Sequence, residues 1–406
     1  MTKGSELTEL TIPATGDYVF LVDLSTGVTK RISLANLLNV PAGDGKVTIG
    51  GHEIRPLADN NMFFGVYAGA ANTTGHYNSF FGSAAGAANT TGLNNSFFGR
   101  SAGHGNTTGS YNSFFGESAG YANTTGNSNS FFGGSAGVAN TTGFNNSFFG
   151  RYAGVANTTG HDNSFFGVSA GYANTTGYNN SFFGVSAGYA NTTGHDNSFF
   201  GLSAGYANTT GHNNSFFGVS AGYANTTGFN NSFFGRYAGH GNTTGFNNSF
   251  FGRSAGSAVT TGSNLTCIGY NAQASAVGAT NEITLGDANV TTLRCNTQTI
   301  VALSDRRDKT NIETIPLGLD FVRDLKPSKW TWNCRDGSRV GDDDTGFVAQ
   351  DLDDSQKKFA YEIPGLVFKP NDERWEVGYG KLLTVAIKAI QELAAKVDML
   401  EATINA

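Results

Sequence analysis

The chain has 406 residues, 56 of them Gly, a formal net charge of −6 at pH 7 and three Cys. This mild acidity, with no basic run, argues against a nucleic-acid or anionic-membrane binder. Cys267, Cys295 and Cys334 are too few and too widely spaced for a disulfide framework or a zinc site, and read as buried thiols.

The length allows two or three domains. Met1-Thr2-Lys3-Gly4-Ser5-Glu6 has no apolar core of a signal peptide, and nothing later approaches a membrane span. The expectation is a protein made in a cytoplasm, without membrane insertion. Residues 1–45 read as a small module: Tyr18–Val22 a strand, Ser25-Thr26-Gly27 a turn, Val28–Ile32 the returning strand, and Ser33 the cap of a short helix through Leu38. So short a module makes a poor core alone and calls for partner chains. Pro41-Ala42-Gly43-Asp44-Gly45 ends it, and 46–60 is expected to be a linker.

From 61 to 252 the unit F-F-G-x-x-A-G-x-A-N-T-T-G-x-x-N-S repeats every 17 residues, its leading Phe at 63, 80, 97 and onward to 250. Gly, Asn, Ser and Thr dominate it, so the period predicts short strands and turns stacked as a parallel β-solenoid or β-roll. At the spacing of β-strands, fourteen registers give a rod of roughly 65 Å. Adjacent Phe residues on a strand point to opposite faces. One row fills the coil, and the other leaves an apolar stripe that burial between chains removes. The fixed Asn places predict amide ladders along the axis. Over 253–303 the unit decays in register: Cys267-Ile268-Gly269 and Thr284-Leu285-Gly286 stand where F-F-G would recur, and predict two capping coils.

After Ser304 charges crowd in and all three Trp appear (Trp330, Trp332, Trp375). Asp342-Asp343-Asp344 reads as a solvated loop. From Leu382 a helix carries heptads, with Leu383, Ile390, Val397 and Ile404 at a and Ala386, Leu393 and Leu400 at d. Three heptads are short and need the preceding globular part for support. Taken alone, β-branched a with Leu at d favours two strands.

Near-identical coils fix the shape of a coil but not the register between chains, because a slip of one unit loses only one coil of pairing. Such an array calls for an aligning device, and the C-terminal part is the candidate.

Two resemblances sharpen this. Asn264-Leu265-Thr266-Cys267-Ile268-Gly269-Tyr270-Asn271-Ala272 resembles the head repeats of trimeric autotransporter adhesins, which form trimeric β-rolls. Three blocks in order are Ser304-Asp305-Arg306-Arg307-Asp308-Lys309-Thr310-Asn311-Ile312, Gly346-Phe347-Val348-Ala349-Gln350-Asp351, and Gly378-Tyr379 to Leu393. They resemble the intramolecular chaperone auto-processing domain that ends phage endosialidase tailspikes and many tail fibres. The resemblance implies a homotrimer, with residues 304–406 driving its assembly, and cleavage of the Leu303–Ser304 bond by Ser304 as nucleophile and Lys309 as its base. The chemistry is sensible: a Ser hydroxyl is inert at neutral pH until a base takes its proton, and a lysine held neutral can do so. Arg306 and Arg307 stand close enough in sequence to help.

Variation among units concentrates after T-T-G and after F-F-G. Tyr77, Phe144, His161, Tyr178, His195, His212, Phe229 and Phe246 put aromatic rings on turn tips, the residue type that suits contact with a glycan or protein. Drift at solvated turns explains the same pattern. His161-Asp162 and His195-Asp196 are too few and too distant for a metal site, and a lone acidic pair is weak for a glycosidase. No cofactor is implied. N-T-T sequons recur, but a chain without a secretory signal is not expected to be glycosylated.

The resulting expectation is a trimeric tail fibre assembled in the host cytoplasm and carried on the virion. Its N-terminal module would meet tail or baseplate proteins, and its rod a host surface glycan or protein. The alternative is a bacterial or structural trimeric adhesin or solenoid with no receptor role.

Overall fold

The computed structural model describes residues 60–294, 304–334, 340–371 and 374–405, with the backbone of four strands before them. The chain forms two compact units, Met1–Ala272 with Val277–Ile283 and Gln273–Ala276 with Thr284–Ala406. No helix among the described residues is long and apolar enough to cross a membrane.

In the first unit β1 (Tyr18–Asp23) and β2 (Val28–Ser33) pair antiparallel, as the sequence suggests. The turn between them, the helix expected after Ser33, and Cys295 lie outside the described residues. The stretch read as a linker instead carries β3 (Val47–Ile49) and β4 (His52–Leu57), an antiparallel hairpin. β4 then pairs antiparallel with β5 (Asn61–Phe64), the first strand of the array.

Eleven three-residue strands follow, from β6 (Ser79–Phe81) to β16 (Ser249–Phe251), and after them β17 (Ser263–Ile268) and β18 (Thr280–Leu285). Successive strands from β5 to β17 pair parallel, each residue opposite its equivalent one unit later, so that Phe165 faces Phe182. This is the expected solenoid, one coil per 17 residues.

The two Phe of each unit part company as their alternation requires. The first is wholly buried from Phe80 to Phe250 and stacks on its neighbours with ring centroids 4.7–4.8 Å apart. The second, from Phe81 to Phe251, forms a parallel outer ladder at 4.6–5.1 Å that one chain leaves half-exposed. Gly makes the inner stack fit: Gly171 sits at φ +59 with its missing Cβ directed into the ring of Phe165, a place closed to other residues on both counts.

Both Asn of the unit are buried and form the expected ladders. In the N-T-T row, Asn174 Nδ2 donates to Asn157 Oδ1 (2.8 Å) and to Gly177 O (3.1 Å), and Oδ1 accepts from Asn191 (2.7 Å). In the N-S row, Asn163 donates its backbone N–H to Asn146 Oδ1 (3.1 Å) and its amide to Gly177 O (2.8 Å). Buried amides are costly unless satisfied, and here the stacking satisfies them. Val259 ends the N-T-T row and leaves Asn242 Oδ1 without a partner. Of the paired Thr, the first bonds its hydroxyl to the next coil, as Thr175 does to Thr192 O (3.1 Å), and the second faces solvent.

In the second unit, α1 (Leu319–Asp324), the hairpin of β19 (Ser328–Thr331) and β20 (Asp343–Gly346), α2 (Ala349–Lys358), and the hairpin of β21 (Val367–Asn371) and β22 (Arg374–Val377) precede α3 (Leu382–Ile404). Leu317, Phe321, Leu352, Ile363, Leu366 and Val385 form its core. Asp343 and Asp344 are therefore not a free loop. They open a strand, where Asp343 accepts from Thr331 Oγ1 (2.7 Å) and Asp344 from Trp332 Nε1 (3.2 Å). Cys267 is buried as expected, but Cys334 is only half-buried.

The C-terminal helix turns different faces to different tasks. Val385 and Ala389 are buried, and Glu392 reaches back to cap the Leu319 N–H at the start of α1 (2.7 Å). Of the a and d residues, Leu383, Ile390, Leu393, Val397, Leu400 and Ile404 are exposed and Ala386 is half-buried. The heptad seam is thus a second apolar stripe, distinct from the face that holds the unit together.

Candidate functional sites

Ser304 and Lys309, five residues apart, are brought together by a tight local turn. Asp305 is extended and accepts the Arg307 backbone N–H (2.8 Å), capping a 3₁₀ turn over Arg306–Asp308. The turn returns the chain so that Lys309 Nζ donates to Ser304 Oγ at 2.5 Å, with both residues exposed. Asp305 also grips the Arg307 guanidinium, at 3.1 Å from Nε and 2.5 Å from Nη2. The Arg307 side chain beside it, with its backbone N–H, holds the Asp305 carboxyl below the usual carboxylate range. Arg307 is thus committed to Asp305 rather than turned on Lys309. Leu303 lies outside the described residues.

In the contact observed, lysine is the donor. The same contact puts Nζ within reach of the hydroxyl proton, the proximity a Ser/Lys nucleophile requires.

The aromatic candidates on the solenoid resolve into one ladder and one outlier. Phe144, His161, Tyr178, His195, His212, Phe229 and Phe246 stack in unbroken sequence, with ring centroids 4.7–5.2 Å apart. Tyr77 is not part of it. It stands one place later, at φ +59, with its ring edge-on to His76 at 5.0 Å, and His76 occupies the equivalent place in that coil.

Within the ladder, His161 Nδ1 lies 2.8 Å from Asp162 Oδ2, and His195 Nδ1 lies 2.8 Å from Asp196 Oδ2. Asn145 and Asn179 donate to the same carboxylates at 3.0 Å. The hydrogen bond from the adjacent histidine is the main cause that holds each carboxyl below the usual range.

A second external ladder was missed in the sequence, although its signal was the same 17-residue recurrence. Tyr172, Tyr189, Tyr206, Tyr223 and His240 stack at 4.8–5.2 Å. After F-F-G, Arg151 and Arg236 each lie over the ring of the following tyrosine, Tyr152 and Tyr237, at 4.6 Å.

Residues 304–361 match the peptidase S74 family, described as the chaperone of endosialidase. The match begins at the serine held by Lys309. It takes in the first two of the three sequence blocks and stops before the third, Gly378 to Leu393. Searches of curated proteins and of solved structures gave no significant match.

Proposed function

We propose that the chain is a phage tail-fibre protein whose C-terminal chaperone directs assembly of a homotrimer and then releases itself at Leu303–Ser304. The observation that carries this reading is the endosialidase-chaperone match over 304–361, opening on a serine already hydrogen-bonded to a lysine. In the cleavage, Lys309 takes the Ser304 proton and Oγ attacks the Leu303 carbonyl carbon. The C–N bond breaks to leave an ester and a free amine on Ser304, and water then hydrolyses the ester to a Leu303 carboxylate.

Association of copies is supported by the two apolar stripes that one chain leaves uncovered, the outer Phe ladder and the heptad seam. The number three comes from the family resemblance. The N-terminal module would fasten the fibre to virion tail or baseplate proteins, and the stacked ring stripe from Phe144 to Phe246 would meet the host surface.

Mass spectrometry of the purified protein tests the processing step. A fragment beginning at Ser304 is expected, with Ser304→Ala and Lys309→Ala chains remaining full length. Cleavage that persists in Ser304→Ala refutes the assignment.

A further inference from the structure

Taking the stripe from Phe144 to Phe246 as the host-facing surface, and resting on that reading, we infer the class of its ligand. It is an uncharged, hydroxyl-rich chain laid parallel to the solenoid axis, a neutral polysaccharide, engaged by ring edges rather than ring faces.

The faces are closed. Rings in the stripe lie within 2–18° of parallel, each covering the next, so between the end rings Phe144 and Phe246 no sugar can stack on them as on an open aromatic platform. What remains outward is edges and polar tips, and their chemistry is set by the neighbours. An ionised carboxylate only accepts hydrogen bonds, so the proton between His161 and Asp162, and between His195 and Asp196, sits on Nδ1. The imidazole then turns its Nε2 edge to the far side, away from the carboxylate. The Tyr178 ring lies between the two, 5.2 Å from His161 and 4.8 Å from His195, and its hydroxyl both donates and accepts. Imidazole edge, hydroxyl, imidazole edge therefore follow one another coil by coil.

The flanking rows continue the pattern. Thr159, Thr176 and Thr193, two residues before each ring, are exposed, and so are Asp162, Asn179 and Asp196, one residue after. Every coil thus offers a hydroxyl, a ring edge and an amide or carboxylate at one strand spacing, about the advance of one sugar in an extended glycan.

Charge excludes the other half of glycan chemistry. Between Thr142 and Asn247 the exposed Thr, ring and following places hold no Lys or Arg, and their only carboxylates are Asp162 and Asp196, each held below the usual carboxylate range chiefly by the hydrogen bond from its histidine. A polymer bearing sulfate, phosphate or carboxylate finds no Lys or Arg to pair with and two carboxylates to repel it, a selection against the wrong partner.

Affinity electrophoresis of the full chain at neutral pH tests this, with soluble uncharged glucan, uncharged N-acetylglucosamine oligomers, and dextran sulfate as probes. The double variant Tyr178→Ser, His195→Asn keeps the coil, because the same place carries Ser110 and Asn127 elsewhere in the array. Retardation of the parent chain by a neutral polymer is expected, at least tenfold weaker in the double variant, with none by dextran sulfate. Asp162→Asn with Asp196→Asn is expected to raise dextran sulfate retention. Retention of the parent chain by dextran sulfate, by no polymer at all, or equally by parent and double variant overturns the inference. Adsorption to bacterial envelopes is scored separately. Adsorption that the double variant loses while neutral polymers fail leaves the host-facing reading standing without this ligand, whereas no adsorption by the parent chain removes that reading itself.

Discussion

Asn174 offers the sharpest test of the amide ladders. Replacing it with Ala removes three hydrogen bonds, to Asn157 Oδ1, to Gly177 O, and from Asn191 Nδ2. Two of the partners keep another bond. Gly177 O still accepts from Asn163 at 2.8 Å, and Asn191 still donates to Gly194 O at 3.0 Å. Only Asn157 Oδ1 is stranded in a fully buried place, the state that Asn242 Oδ1 already occupies beside Val259. A stranded buried acceptor with the lost bonds costs about 2–4 kcal/mol. Asn72, at the start of the row, gives the control. Its removal strands nothing, since Asn89 keeps Gly92 O (3.1 Å) and Gly75 O keeps Asn61 (2.7 Å), so Asn72→Ala should cost about 1 kcal/mol. Urea unfolding followed by circular dichroism, at one fixed protein concentration because association shifts stability, measures both. Hydrogen exchange should localise the loosening to the coils around 157–191. Equal destabilisation of the two variants, within about 0.5 kcal/mol, refutes the claim that stacking is what satisfies these amides.

Two further comparisons separate the faces of the molecule. Phe165→Ala, which empties a fully buried place between stacked rings, should cost about 3–5 kcal/mol in a thermal or urea melt. Phe166→Ala, from the half-exposed outer row, should cost less in folding yet lower the assembly state seen by sedimentation; equal effects in both assays would contradict the inner and outer assignment. In the C-terminal helix, Val385→Asp buries an unpaired charge and should unfold the second unit, whereas Leu393→Asp, on an exposed seam place, should leave the helical signal and abolish association.

The solenoid was legible because its information is periodic. A recurring F-F-G told of a buried and an outward Phe, and fixed Asn places told of ladders, before any coordinate. The hairpin over 46–60 was not legible, because Gly-rich turn signals hid two short strands whose role is to cover the first coil's edge. The aromatic places were legible, but not that their rings would stack, although recurrence at 17 residues carries that for the turn tips as it does for the Phe pair. Asp342 and Asp343 are solvated as read, but Asp343 and Asp344 lie in a strand rather than a loop, because their partners, Thr331 in β19 and Trp332 just after it, belong to a hairpin that charge composition does not reveal. In the Ser304 turn, the sequence offered Arg306 and Arg307 as neighbours of Lys309, and only geometry shows Asp305 taking Arg307 for itself.

The N-T-T ladder also has a sense. Every amide donates towards the N-terminal coil, so one end of the row shows N–H groups and the other a bare acceptor, the unpaired Asn242 Oδ1. Two arrays can therefore join through these rows only head to tail, the heterologous contact that does not close and that grows filaments. The row ends at both limits. Val259 offers no amide where a further unit would carry one, and β4 lies antiparallel against β5, so the first coil presents no parallel edge to a second array. In a sequence that repeats its own coil a dozen times, the two places that depart from the repeat are the ones that end its rows.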